Sequence, residues 1–361
     1  MLTINQPLQV TLSYPFIQYD IHDLLFFDIE TTGFSASVSS LYLIGCIFFE
    51  NNHWQLTQWF ADDYESEEAI LKNFFAFCKR FRILVHYNGN GFDIPYLMAK
   101  VSAHHLSFSF DQIESFDLYQ KILPYKAMFA LPNLKQKTIE EFFSLNRKDP
   151  YNGGELIKVY SKYMIEKYTR KEDPQVFLDA LLLHNKSDLT GLVTICQILH
   201  YTDLFSGNLP FQKMELTQHH AYFYCETSGY LAKKIQYSRH NLSLSVFEKQ
   251  LCVKVTWKET EMKHFLSPYK DYYYLPKEDT AIHKDVAVFV DKEHREKAKK
   301  SNCYVKKSGK FLPLRPVSDG FPFFYEEYGS KESYVLLDDS FQKDTSKQSR
   351  YINHLLAHFF Q

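Results

Sequence analysis

Residues Phe26 to Gly33 read FFDIETTG, an apolar run that ends in two carboxylates one residue apart. Successive side chains of a β-strand point to opposite faces, so Asp28 and Glu30 project side by side from one face. Two adjacent anions repel, and one would hold its proton unless a cation lies between them. A divalent metal keeps both ionised and makes the strand tip a site for phosphate chemistry. Thr31, Thr32 and Gly33 then break the strand and let a ligand approach the backbone. Taken alone, the triplet reads more readily as an Asp and a Glu facing water, so its meaning depends on what the rest of the chain brings beside it.

Working outward, Leu24–Glu30 reads as a buried strand. LYLIGCIFFE and HWQLTQWF follow as a hairpin turning at Asn51 and Asn52, which predicts three antiparallel strands opening the domain. Ser66 is expected to cap a helix with Glu67 and Glu68 in its first turn and Lys79 and Arg80 in its last. RILVHYNG predicts a short buried strand, with a turn over Asn88–Gly91 and a helix from about Phe92 to Val101. Another strand is expected near Ile113–Asp117, and helices near residues 118–123, 137–144 and 155–167. Pro174 starts a long amphipathic helix reaching about His200. Strands first, then alternation of strand and helix, predict an α/β domain: a mixed five-stranded sheet flanked by helices.

Two further segments carry acidic side chains into that frame. In HYNGNGFDIPYL, Asp93 opens the second predicted helix, where a carboxylate suits the dipole. In HNKSDLTGL, His184 and Asp188 are four apart on the long helix and share one face. An Asp within an otherwise apolar helix is costly unless it is paired, capped or bound to a metal. The spacing makes His184 a candidate for orienting or deprotonating water.

Composition narrows the partners. The chain has 361 residues, room for two or three domains of ~150 residues. Formal net charge is −2, so any nucleic-acid contact must come from local basic patches, while 32 Phe and 26 Tyr supply bulky cores and rings able to stack on bases. Six scattered cysteines without a CxxC pair suggest reduced thiols and no structural zinc. The N-terminal residues lack a signal-peptide pattern, and the longest apolar stretch, Leu41–Phe49, is shorter than the ~20 residues of a membrane span. A soluble cytoplasmic protein without membrane contact is expected.

FDIETTG, then NGNGFD, then an imidazole residue shortly before an Asp together resemble, in order and spacing, the three motifs of the DEDD 3′–5′ exonucleases of the ribonuclease H-like superfamily. Within it the chain is most similar to the bacterial YprB-like predicted exonucleases, which Leu131–Tyr160 also resembles, and the likeness runs over about residues 20–202. It implies a ribonuclease H-like domain over residues 1–205 and a metal-dependent 3′–5′ exonuclease acting on DNA or RNA, with single-stranded 3′ ends favoured. Carried over, the resemblance makes Asp28, Glu30, Asp93 and Asp188 ligands of two divalent ions, Mg²⁺ or Mn²⁺, with Asp28 bridging both. His184 joins the catalytic set, and Thr31, Thr32, Asn88 and Phe92 would contact the terminal nucleotides. One departure stands out. The tyrosine subclass places Tyr four residues before the last Asp and the histidine subclass places His five before it, whereas this chain has His at the tyrosine spacing. Two other readings keep the fold: a non-catalytic nucleic-acid binding module, and a small-nucleotide phosphohydrolase.

The resemblance does not extend over residues 211–361, expected to form an α+β accessory domain after a linker at Ser206–Pro210. There Ser243–Trp257 alternates like two paired strands, and the basic stretch Lys292–Lys310 reads as a helix and loop. With the aromatic YKDYYYLP, Tyr269–Pro276, that stretch could guide a strand through phosphate contacts and stacking.

Overall fold

The computed structural model describes residues 1–147, 149–151, 153–315 and 320–360. The chain forms two compact units, Met1–Leu199 and His200–Gln361. The first is an α/β fold, a mixed sheet flanked by helices.

Its sheet contains β1 (Leu2–Leu8), β2 (Leu24–Thr31), β3 (Leu41–Glu50), β4 (His53–Phe60), β5 (Ile83–His86) and β6 (Glu114–Asp117), in the order β1-β4-β3-β2-β5-β6. The expected five strands are therefore joined by a sixth, β1, which pairs antiparallel with the outer edge of β4. β2 lies between antiparallel β3 and parallel β5, and β6 continues the parallel half. Asn51 and Asn52, at φ 51° and 63°, make the β3–β4 turn in the left-handed region that asparagine tolerates.

The helices are α1 (Glu67–Cys78), α2 (Asp93–Ala103), α3 (Leu118–Ile122), α4 (Lys126–Phe129), α5 (Gln136–Phe142), α6 (Gly153–Thr169) and α7 (Pro174–Ile195). Ser66 does not cap α1 as expected. Its Oγ instead donates to Asp63 Oδ1 at 2.6 Å, and α1 ends at Cys78, so Lys79 and Arg80 lie beyond its last turn. Asp173 caps α7 by accepting from Gln175 N, with Pro174 next, where a missing N–H costs nothing.

Side-chain alternation along β2 separates the two faces of the sheet. Phe27 stacks on Phe74 of α1 with ring centroids 5.6 Å apart, while Asp28 on the opposite face meets Asn185 of α7. On that second face Phe26 is buried and Asp28 and Glu30 follow towards the strand end, so the face turns from apolar to anionic along its length. The packed core, which includes Leu25, Phe27, Phe60, Phe74 and Tyr160, holds β2 rigidly and so fixes where its two carboxylates point.

The second unit adds three antiparallel sheets: β7 (Phe211–Leu216), β8 (His220–Arg239) and β9 (Leu242–Thr256); β10 (Lys258–Phe265), β14 (Tyr304–Leu314), β15 (Phe323–Phe324) and β16 (Ser333–Leu336); and β11 (Tyr272–Leu275), β12 (Thr280–His283) and β13 (Glu296–Lys297). Two expectations are overturned here. Ser243–Trp257 is not a pair of strands; its residues to Thr256 belong to one long strand, β9, paired along β8, with Glu248 at φ 54° marking an irregularity rather than a turn. The helix expected in the basic stretch from Lys292 is only a three-residue 3-10 turn, Lys297 lies on β13, and Lys306, Lys307 and Lys310 lie on β14. Among the described residues no helix is long and apolar enough to cross a membrane.

Candidate active site

Three elements deliver the acidic side chains to one place. Asp28 and Glu30 end β2. β5 pairs with β2 only as far as Phe26, and beyond it the Asn88–Gly91 turn leads into α2, so Asp93 arrives beside the unpaired edge of β2. The nearby backbone N–H groups of Asp93 itself and of Ile29 favour its ionised form against burial. Asp93 does not cap α2, whose N-cap position is Phe92. The turn itself is shaped by buried Asp117, which accepts from Asn88 N at 2.9 Å and Asn90 N at 3.2 Å and allows Asn88 its φ of 59°.

α7 supplies His184 and Asp188. His184 Nε2 lies 3.2 Å from Asp188 Oδ2 and 3.7 Å from Glu30 Oε1. Glu30 Oε2 also accepts a long hydrogen bond, 3.5 Å, from the Tyr42 hydroxyl.

The approach of α7 to the sheet depends on Gly45. Asp28, Gly45 and Gln58 form one row across β2, β3 and β4. Asn185 lies over the glycine, donating through Nδ2 to Asp28 Oδ2 at 2.9 Å and accepting through Oδ1 from Gln58 Nε2 at 2.9 Å. A Cβ at position 45 would stand 1.9 Å from Asn185 Oδ1. The missing side chain is what allows the amide to reach Asp28.

The charge balance of this cluster is unusual. Burial, then the charges of Asp188, Glu30 and Asp93, push the Asp28 carboxyl well above its ordinary range. Burial likewise raises Glu30 to about 8 against the opposing charge of His184, and Asp93 to about 7. Asp188 differs: burial opposes its ionisation, but hydrogen bonds and charge from His184 and Arg147 hold its carboxyl below the usual value. For His184 burial acts downward, and its bond to Asp188 with the charges of Asp188, Glu30 and Asp149 outweighs it, raising the imidazole to about 9. Among the described residues, four converging carboxylates meet one guanidinium and one imidazole, so positive charge is short. That oxygen-rich, under-compensated donor set fits hard divalent cations.

Every acidic residue singled out from sequence thus lies in this cluster. Of the others, Thr31 and Thr32 are occupied in folding the loop after β2: Thr31 Oγ1 donates to Gly33 O at 2.9 Å, and Thr32 Oγ1 accepts from Ser40 N at 2.8 Å. Phe92 is partly buried and makes an edge contact, 6.1 Å between centroids, with Phe34. Phe34, not picked out from sequence, is 94% exposed in that loop.

Three more residues were missed. Asn185 holds Asp28. Arg147 pairs with both Asp188 and buried Glu140, and Asp149 Oδ2 lies 2.5 Å from His184 Nδ1. Asn185 had a signal, an amide in an apolar stretch of helix directly after His184. Arg147 and Asp149 had none, because the site residues they hold, Asp188 and His184, are 41 and 35 residues away along the chain.

A family model described as the RNase H superfamily matches residues 25–200. No curated protein matches the chain. Among solved structures, the chain is similar to the family B DNA polymerase of the hyperthermophilic archaeon Pyrobaculum calidifontis at 14% identity and a TM-score of 0.41, over 69% of this chain and 35% of that one. It is also similar to an ExoI/SSB-Ct complex (11% identity, TM-score 0.33, 62% and 55% covered). A third is a zinc-bound form of an E. coli ExoI–ssDNA complex (14% identity, TM-score 0.29, 62% and 54% covered). The chain spans about a third of the polymerase and about half of the two ExoI structures.

Proposed function

We propose that the protein is a metal-dependent nuclease that removes nucleotides from the 3′ ends of nucleic acid, single-stranded ends being preferred. The observation that carries this reading is the convergence of Asp28, Glu30, Asp93 and Asp188, from three separate elements, on one under-compensated cluster. The ribonuclease H-like fold and the family match over residues 25–200 support it.

In this reading Asp28, Glu30 and Asp188 hold one divalent ion, and Asp28 with Asp93 a second, Mg²⁺ and Mn²⁺ being suited to the oxygen donors. Bound there, the ions supply the charge that stabilises the attacking and leaving oxygens of an in-line phosphodiester displacement. The chain's own residues provide the rest. Asn185 orients Asp28, and Arg147 occupies Asp188 Oδ1 and leaves Oδ2 directed towards the cluster. In the same reading Phe34 and Phe92, in edge contact with each other, would stack on a terminal base, and Thr31, Thr32 and Asn88 would contact the adjoining sugar or phosphate.

The test uses end-labelled single-stranded DNA and RNA, duplexes and free nucleotides, with wild type and Asp28→Ala in Mg²⁺ or Mn²⁺. Stepwise 3′ shortening that disappears in the variant is expected. Binding without cleavage would indicate a nucleic-acid binding module, and hydrolysis restricted to mononucleotides a nucleotide phosphohydrolase; either result overturns the proposal.

A further inference from the structure

One donor atom each from Glu30, His184 and Asp188 falls within 4.8 Å of the other two, and the two separations made by His184 Nε2 are 3.2 Å to Asp188 and 3.7 Å to Glu30. A metal–donor bond of about 2.1 Å puts neighbouring donors about 3.0 Å apart in an octahedron and about 3.4 Å apart in a tetrahedron. The 3.2 Å separation from Asp188 falls between these spacings and the 3.7 Å separation from Glu30 lies about 0.3 Å above them, so a small inward shift of Glu30 places the nitrogen in a common donor shell. A group that only oriented a water would stand one further hydrogen bond, about 2.8 Å, outside that shell.

The other ring nitrogen supplies an independent observation. His184 Nδ1 is bound to Asp149 Oδ2, and the Asp149 side chain is 1% exposed, with Tyr151 N at 3.1 Å as a second partner of its carboxylate. A metal-bound imidazole commonly gives its second N–H to a carboxylate, which fixes the tautomer and directs the free lone pair at the ion. The i,i+4 spacing on α7 sets His184 and Asp188 on one helix face, so both reach the point that Glu30 approaches from β2.

We propose that His184 Nε2 is itself a metal ligand, with Glu30 and Asp188, that Asp149 is its positioning residue, and that the site consequently prefers a first-row transition ion to Mg²⁺. The proposal rests on the metal-site reading above and assigns His184 to coordination in place of water orientation. Mg²⁺ favours oxygen donors, whereas an imidazole in the shell shifts affinity towards transition ions.

Pulsed electron paramagnetic resonance on the full chain, stripped of metal and loaded with one equivalent of Mn²⁺, tests this without relying on turnover. A directly bound nitrogen is expected to produce a ¹⁴N coupling that converts to the ¹⁵N pattern in ¹⁵N-histidine-labelled protein and vanishes in His184→Gln. Mn²⁺ affinity should fall at least about tenfold in that variant, with Mg²⁺ affinity changed much less, and Asp149→Asn should keep the coupling but bind Mn²⁺ about 10–100-fold more weakly. Circular dichroism checks the fold of each variant. If His184→Gln does not fold, labelled wild type and Asp149→Asn carry the test. A stoichiometric Mn²⁺ site without nitrogen coupling, or one whose coupling survives His184→Gln, overturns the ligand role even where nuclease activity is intact. Failure to bind Mn²⁺ at all overturns both this role and the metal-site reading.

Discussion

Replacing Gly45 with alanine would separate the long helix from the sheet at the point where it holds Asp28. The new methyl carbon would lie 1.9 Å from Asn185 Oδ1, 2.8 Å from Asn185 Cγ and 2.7 Å from Leu189 Cδ1, and ordinary contact begins near 3.4 Å. The Asn185 amide must therefore recede by about 1.5 Å, the difference between 3.4 and 1.9 Å. Its bonds to Asp28 and Gln58 are both 2.9 Å long, so a retreat of that size stretches them to about 3.3 Å if it runs across the bonds and about 4.4 Å if along them, weakening or breaking both. Overpacking costs about 1–3 kcal/mol, and losing a hydrogen bond to an ionisable partner about 1.5–3 kcal/mol. A combined loss of about 3 kcal/mol corresponds to about 6–12 °C in Tm for a unit of this size. Denaturant unfolding with and without Mn²⁺ would measure it, and metal affinity should fall as Asp28 loses its orientation. In Gly45→Ala/Asn185→Ala the two nearest amide atoms are gone, so part of the folding loss should return while metal affinity stays low; the cycle isolates their coupling. If Gly45→Ala unfolds within about 0.5 kcal/mol of wild type and binds metal equally well, the row of Asp28, Gly45 and Gln58 beneath Asn185 does not position the site.

Three further outcomes are expected. Asp28→Asn removes the carboxyl whose ionisation burial and its acidic neighbours oppose, so metal-dependent turnover should be lost and the Tm in EDTA should fall less with rising pH than that of wild type; an equal or steeper fall would contradict the charge balance. Glu30 and Asp93, raised to about 8 and 7, hold protons in the metal-free fold that the unfolded chain has already released. Their contribution is complete below their ordinary carboxylate values and is lost as pH climbs through 7 and 8, so metal-free Tm should drop over pH 5–8.5 and excess Mn²⁺ should flatten the drop. A metal-free Tm that is constant or rising over that range would refute it. Phe34→Ala should leave Tm within about 1 °C, because the ring is 94% exposed, yet raise KM for oligonucleotides severalfold by removing a stacking face; an unchanged KM would remove the ring from the substrate path.

Residues adjacent in sequence and residues fixed by periodicity were legible before any fold was known. Strand period places Asp28 and Glu30 together, helix period places His184 with Asp188, and paired asparagines mark the β3–β4 turn. Edge and end effects were less so. β1 supplies a sixth strand because β4 has a free edge that needs pairing, and Ser66 is diverted from capping by a nearer acceptor, Asp63. The single strand β9 reads as two because its apolar alternation changes phase, from Leu244 and Val246 to Leu251, Val253 and Val255, across the irregularity at Glu248.

Strand and helix period are enough to set four carboxylates at strand ends or on helix faces where they could bind a metal, with an imidazole beside one of them to act on water. How they are held is a matter of contacts far apart in the chain. Asp28 is oriented by Asn185 from 157 positions away, His184 by Asp149 from 35 and Asp188 by Arg147 from 41. No periodicity links such positions. They meet because α7 packs against the sheet at a glycine and the loop between α5 and α6 carries Arg147 and Asp149 to that helix, so the arrangement that gives the carboxylates a function is set by packing.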